Sequence, residues 1–143
     1  MMGESNAQVF RRVMDECFGR GDLAAVDRYF REDFHEHEPV PGPQTGREGV
    51  KQIIRVLRGA FPDLRATIED LSEVGDKLWA RIRFSGTNTG ELMGAAATGK
   101  RASFEAIDCV RFVDSRLAEH WGVVDMLGLL QQLGHAPVPA AAH

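Results

Sequence analysis

Apolar positions along the chain change period near its middle. Up to about residue 61 they recur every three or four residues, and beyond that they alternate. Ser5 and Gln8 form an S-x-x-Q capping box, and Phe10, Val13, Met14 and Cys17 follow at helical spacing. Gly19 and Gly21 end that helix, and Asp22 caps a second one carrying Leu23, Val26, Asp27 and Phe30 along one side. After the loop "HEPVPGPQTG", Thr45 and Glu48 predict another capping box. Val50, Ile53, Ile54 and Leu57 form the stripe of a third helix that ends by Phe61, before Pro62.

In the second half, "RATIEDLSEV", "KLWARIRFSGTNTG", "RASFEAIDCVRFV" and "RLAEHWGVVD" read as strands separated by turn signals. A short helix from about Met126 to Leu133 closes the chain, stopped by Gly134. The pattern predicts an α+β fold in which N-terminal helices pack on a curved antiparallel sheet. Residues 1–134 form one domain, and the tail 135–143 is expected to be disordered.

A two-residue turn at Asp114-Ser115 pairs Phe112 with Leu117, Val110 with Glu119, Asp108 with Trp121 and Phe104 with Asp125. These residues, with Ala106 and Val123, then share one mostly apolar face that also carries the acids Asp108, Glu119 and Asp125. His120, Ile107, Cys109, Val113 and Val124 fall on the other face. A one-residue slip would exchange the two faces. Burying a charge costs several kcal/mol unless it is paired, so three acids on an apolar face predict a cavity that admits water and ligand.

Composition narrows the function classes. The chain has 143 residues, 43% hydrophobic and 27% charged, with a net charge of −4. No basic patch suggests nucleic acid, and no apolar run reaches the roughly 18 residues of a membrane span. The N-terminus lacks the pattern of a secretory signal, so a cytoplasmic protein is expected, with Cys17 and Cys109 as free buried thiols. No ligand spacing predicts a metal.

The segment "IDCVRFVDSRLAEHWGVVDMLGLLQQLG" resembles the C-terminal signature of the SnoaL-like polyketide cyclase family, of the NTF2-like superfamily. The stretches "DFHEHEPVPG", "GREGVKQIIRVLRGAFPD", "EVGDKLWARIRFSGTNTGELMG" and "ATGK" are similar to it as well. The resemblance implies an NTF2-like cone and a homodimer formed through the outer sheet face, with Ile107, Cys109, Val113 and Val124 supplying its apolar part. It implies acid/base chemistry without metal or cofactor on a small apolar, carbonyl-bearing or polycyclic substrate, of polyketide or ester cyclase type or a related isomerisation or hydroxylation. The family's general acid/base aspartate matches Asp125.

Two departures from the family pattern stand out. Asn88 replaces the histidine of G-T-H-T-G, and Asp108 stands where a pocket histidine pairs with the aspartate. The expected catalytic residues are therefore Asp125 and Asp108, two carboxylates able to titrate as a coupled pair. His37, Trp121, Asn88, Phe104, Phe30 and Met126 are the expected substrate-binding residues. Asp125 at the start of a helix also reads as a plain N-cap, Glu119 as the partner of an arginine, and Asp70 as the cross-strand partner of Arg81. The alternative function is a non-catalytic small-molecule-binding domain, distinguished by acids that are all engaged and by the absence of a cavity beside them.

Overall fold

The computed structural model describes residues 3–140. Helix α1 (Asn6–Arg12) starts at the expected capping box, with both reciprocal bonds present. It widens into π-helical turns over Val13–Gly19, which face Val13, Met14 and Phe18 to the interior. Arg58 donates to the carbonyls of Phe18 and Gly19 at 3.1 and 2.8 Å and closes that end. Helix α2 (Leu23–Tyr29) is capped by the Asp22 side chain. In α3 (Gly46–Ala60) the cap residue is Thr45, but its side chain makes no capping bond. Glu48 turns instead to Lys51, at 3.0 Å.

Strands β2 (Arg65–Val74), β3 (Lys77–Thr87), β4 (Arg101–Val113) and β5 (Arg116–Val124) form the expected meander. The two-residue turn at Asp114-Ser115 occurs where expected, with Val113 paired to Arg116, and Gly75-Asp76 makes a second one, with Val74 paired to Lys77. Asp114 and Ser115 have φ of 51° and 61°, the backbone a tight primed turn requires. A fifth strand, β1 (Phe30–Glu36), was not expected. It lies parallel to β5 at the sheet edge, giving the order β1-β5-β4-β3-β2. The sheet is therefore mixed rather than wholly antiparallel, within the α+β, NTF2-like arrangement.

The ladder between β4 and β5 departs from the expected register. It shifts between Arg111 and Phe112: Phe112 pairs with Leu117, but Arg111 pairs with Glu119. Ala118 is the extra residue of a β-bulge, and it is buried. Beyond it, Cys109 rather than Asp108 pairs with Trp121, and Asp108 pairs with Gly122. The physical reason is charge. On the inner face Glu119 would sit opposite Val110 and near another acid, Asp108, whereas on the outer face it reaches Arg111 at 2.6 Å.

The core lies between the helices and the concave face of the sheet, with Phe10, Ile54, Phe61, Leu78, Ile82 and Leu129 among its buried side chains. Cys17 and Cys109 are both buried free thiols, as expected. Burial raises the Cys17 thiol to about 12. Helix α4 (Met126–Gln132) closes the fold. Of the tail, His135 donates to the carbonyl of Ala96 at 2.8 Å, and residues 141–143 lie outside the described residues.

Candidate active site

A cavity of about 350 Å³ opens between α1, its π-helical extension, α3 and the sheet, a volume suited to a small organic ligand. Its wall is overwhelmingly apolar, with Phe10, Met14, Phe30, Phe84, Phe104 and Val110 among the lining residues. Pro39 and Met93, both exposed, mark where it reaches the surface. The polar atoms concentrate in four side chains: Glu36, Glu38, Asp108 and His120.

The local sequence explains how these four meet. Parallel pairing sets Glu36 of β1 beside His120 of β5. The bulge at Ala118 turns His120 inward, toward Asp108 of β4. Gly122 stands opposite Asp108, where an added Cβ would come within 2.7 Å of both Asp108 Oδ1 and His120 Cε1. The glycine leaves the space in which the two side chains touch. Glu38 follows β1 by two residues, and its backbone N–H donates to Glu36 Oε1 at 3.0 Å.

His120 is held at both ring nitrogens, Nδ1 at 2.6 Å from Glu36 Oε1 and Nε2 at 2.8 Å from Asp108 Oδ1. Burial by itself lowers its pKa. The hydrogen bonds and charges of Asp108 and Glu36 outweigh that and carry it to about 10. At neutral pH the ring is thus an imidazolium clamped between two carboxylates. Both of its N–H groups are committed, so it serves as a fixed positive charge rather than as a base. The Glu38 carboxylate accepts no hydrogen bond among the described residues, and its Oε2 lies 3.9 Å from His120 Nδ1. Burial raises its pKa above the usual carboxylate range; the His120 charge opposes this, and Asp108 and Glu36 add to it. Ligand atoms of Glu36, Glu38 and His120 lie within 4.8 Å of one another, close enough to hold a metal ion.

Four of the expected residues, Asp108, Phe104, Phe30 and Met126, line this cavity. The other four do not. Asp125 is exposed on the outer side of the bulged strand, and its Oδ1 accepts from the Gly128 N–H at 2.9 Å. The helix-cap reading holds for it, and it does not share the site with Asp108. Trp121 faces outward and stacks on His37, with ring centroids 4.6 Å apart and planes at 5°. His37 reaches Glu119 Oε2 at 2.8 Å on that same outer face. Asn88 is fully buried, but in the loop following β3. It accepts from the Thr98 N–H and hydroxyl at 2.9 and 3.0 Å and donates to the Gly90 carbonyl at 2.8 Å. It ties a loop together and does not line the cavity.

Glu119 pairs with Arg111, as its structural reading required, and Arg81 binds Asp70 at 2.7 Å. Of the three acids first placed inside, only Asp108 remains there, and it has a cavity beside it.

Glu36, Glu38 and His120 escaped the sequence reading. The signal for His120 lay in the Arg111–Glu119 pairing, because any register joining those two also turns His120 toward Asp108. The stretch "FHEHE" offered no comparable signal, since nothing in it announces a parallel edge strand.

A cavity of this kind, closed by a curved sheet and three helical segments, with ionisable groups gathered on β1, β5, β4 and the loop after β1, is that of an NTF2-like fold. The model of the SnoaL-like polyketide cyclase family matches residues 8–133, and the chain belongs to that family. It is 33% identical over 136 residues to the aklanonic acid methyl ester cyclase DauD of Streptomyces sp. (strain C5), covering 90% of this chain and 82% of that protein. It is 29% identical over 124 residues to the nogalonic acid methyl ester cyclase of Streptomyces nogalater, covering 85% and 92%. Among solved structures, TsrD from Streptomyces laurentii superposes with a TM-score of 0.83 at 31% identity, over 95% of this chain and all of that one. The expectation of a SnoaL-like, cyclase-type enzyme is met by relatives that are cyclases by name. No helix among the described residues is long and apolar enough to cross a membrane.

Proposed function

We propose that this protein catalyses an intramolecular aldol-type ring closure of a polyketide-derived ester, with Asp108 as the base. The observation that carries the reading is the clamped His120 at the polar patch of an otherwise apolar cavity. An apolar wall suits a fused-ring substrate, and a fixed imidazolium beside Asp108 holds that carboxylate in one orientation. Asp108 Oδ1 is bound by His120, which leaves Oδ2 to take a proton from the acidic carbon alpha to a carbonyl. The resulting enolate carbon bonds to a ketone carbon, whose oxygen becomes a hydroxyl. Nothing leaves, so product and substrate have equal mass. Phe30, Phe104 and Met126 shape the space around the reacting chain.

A homodimer through the outer sheet face belongs to the same proposal. Exposed Trp79, Ile107 and Val123 support it. Val123 takes the place expected for Val124, which packs against the core instead. Action in the cytoplasm also belongs here, where Cys17 and Cys109 stay as thiols.

The test is to incubate the protein separately with aklanonic acid methyl ester and nogalonic acid methyl ester, and to follow an isomer of unchanged mass by chromatography. Asp108→Asn should lower the rate about 10²–10⁴-fold while the fold is kept. Binding of both esters without conversion of either would identify a binding domain instead.

A further inference from the structure

Ring closure needs a proton donor as well as a base, and the polar patch contains one group free to serve. His120 spends both N–H groups on Glu36 and Asp108. The Glu36 Oε1 that holds His120 also accepts the Glu38 N–H, and Glu36 is the most deeply buried of the four, its side chain 5% exposed. The Glu38 side chain is 20% exposed, lines the cavity and accepts no hydrogen bond among the described residues. Its backbone is fixed by the Glu36 carboxylate, and Pro39 follows it directly, so the loop holds its direction. We propose that Glu38 is the general acid of the ring closure, the carboxyl group that hands a proton to the ketone oxygen as the new carbon–carbon bond forms.

The proposal rests on the cyclase reading and adds a residue to it. Glu38 loses one proton to the substrate oxygen, and Asp108 gains one from the substrate carbon. Solvent exchange after product release resets both. The groups facing Glu38 favour this division of labour. Glu36 on β1 and Asp108 on β4 are negative and His120 on β5 is positive, while α3 presents Val50, Ile53 and Leu57 to the cavity. Burial, the leading influence, favours the protonated acid. An unpartnered carboxyl group that lines the cavity beside the reacting ketone is placed to donate a proton to it.

Two measurements test the proposal. The first does not depend on turnover: the Glu38 side-chain carboxyl is followed by carbon NMR in the wild-type protein, assigned by its loss in Glu38→Gln. It should titrate above the ordinary glutamate range; ordinary titration overturns the inference whatever the protein's substrate. The second uses aklanonic acid methyl ester. Glu38→Gln should lower kcat about 10²–10⁴-fold, leave KM within a few-fold, and remove the alkaline limb of the kcat–pH profile. Glu38→Asp should recover part of the rate. A Glu38→Gln enzyme with near-wild-type kcat and an intact alkaline limb refutes the assignment. If wild-type protein converts neither ester, the cyclase reading fails, and Glu38 falls with it as a ring-closure acid.

Discussion

Raising the pH from 6.5 to 9 should weaken the fold through His120. Below pH 6.5 the folded and unfolded chains both carry the imidazole proton, and its contribution to stability is complete. Between 6.5 and about 10 only the folded chain holds it, so unfolding releases a proton and stability falls as pH rises. Each pH unit in that window removes up to about 1.4 kcal/mol, which makes the loss by pH 9 on the order of 3 kcal/mol. His120 has a side chain only 14% exposed and two carboxylates within 2.8 Å, so solvent screens little of this. A domain of this size is typically stable by about 5–15 kcal/mol, and the loss should be plain in urea unfolding followed by tryptophan fluorescence. Measurements stop at pH 9 because Cys17, raised to about 12 by burial, removes stability of its own above its unfolded pKa near 9. In His120→Gln the slope between 6.5 and 9 should largely vanish, even if the variant is weaker throughout. A wild-type stability flat to within about 0.5 kcal/mol over this range, or an equal slope in His120→Gln, would refute the clamped imidazolium. The expected loss per pH unit is well above that margin.

The remaining predictions concern residues whose roles the structure reassigns, and the cluster itself. Asp125→Asn should leave both turnover and stability near wild type, because asparagine caps helices as well as aspartate, while Asp125→Ala should cost about 1 kcal/mol by urea unfolding without a matching loss of activity; a hundredfold loss of turnover in Asp125→Asn would return that residue to the site. Asn88→Ala should destabilise by about 2–4 kcal/mol, since it strands the Thr98 and Gly90 groups that Asn88 now bonds, and the loss should appear as a lower urea midpoint with KM little changed in the protein that remains folded. Dialysis against a chelator should leave ester turnover unchanged; a loss restored by zinc alone would instead make Glu36, Glu38 and His120 a metal centre.

Much of this fold was legible because each strand boundary carries its own chemistry. Gly75-Asp76 and Asp114-Ser115 mark two-residue turns, and a turn of known length fixes the register beside it. That placed Asp70 beside Arg81 and put Phe104 and Asp108 on the inner face. Strand β1 was hidden for the opposite reason. Its partner β5 lies more than eighty positions away, it pairs in parallel, and its register shifts between Phe30 and His35, so no alternation survives in "FREDFHE" to announce a half-buried strand.

The bulge at Ala118 shows how an energetic argument can outrank a periodic one. Strict alternation from the Asp114-Ser115 turn sends Glu119 into an apolar interior, opposite Val110. Sliding the strand by one residue instead sets Glu119 against Arg111 at 2.6 Å. An unpaired buried carboxylate costs several kcal/mol, whereas a bulge leaves only one residue, Ala118, out of the ladder. That comparison needs only the sequence of the hairpin, and it selects the bulge. Its consequences then follow together. Glu119, Trp121, Val123 and Asp125 turn outward, His120 and Val124 turn inward, and Gly122 falls opposite Asp108, where only a residue without a Cβ leaves the imidazole room. The polar patch is therefore a product of the same inserted residue that removed Asp125 from it. Deleting Ala118 should leave His120 turned inward, because a regular ladder running on from Phe112 and Leu117 then pairs Glu119 with Arg111 and His120 with Val110 without a bulge.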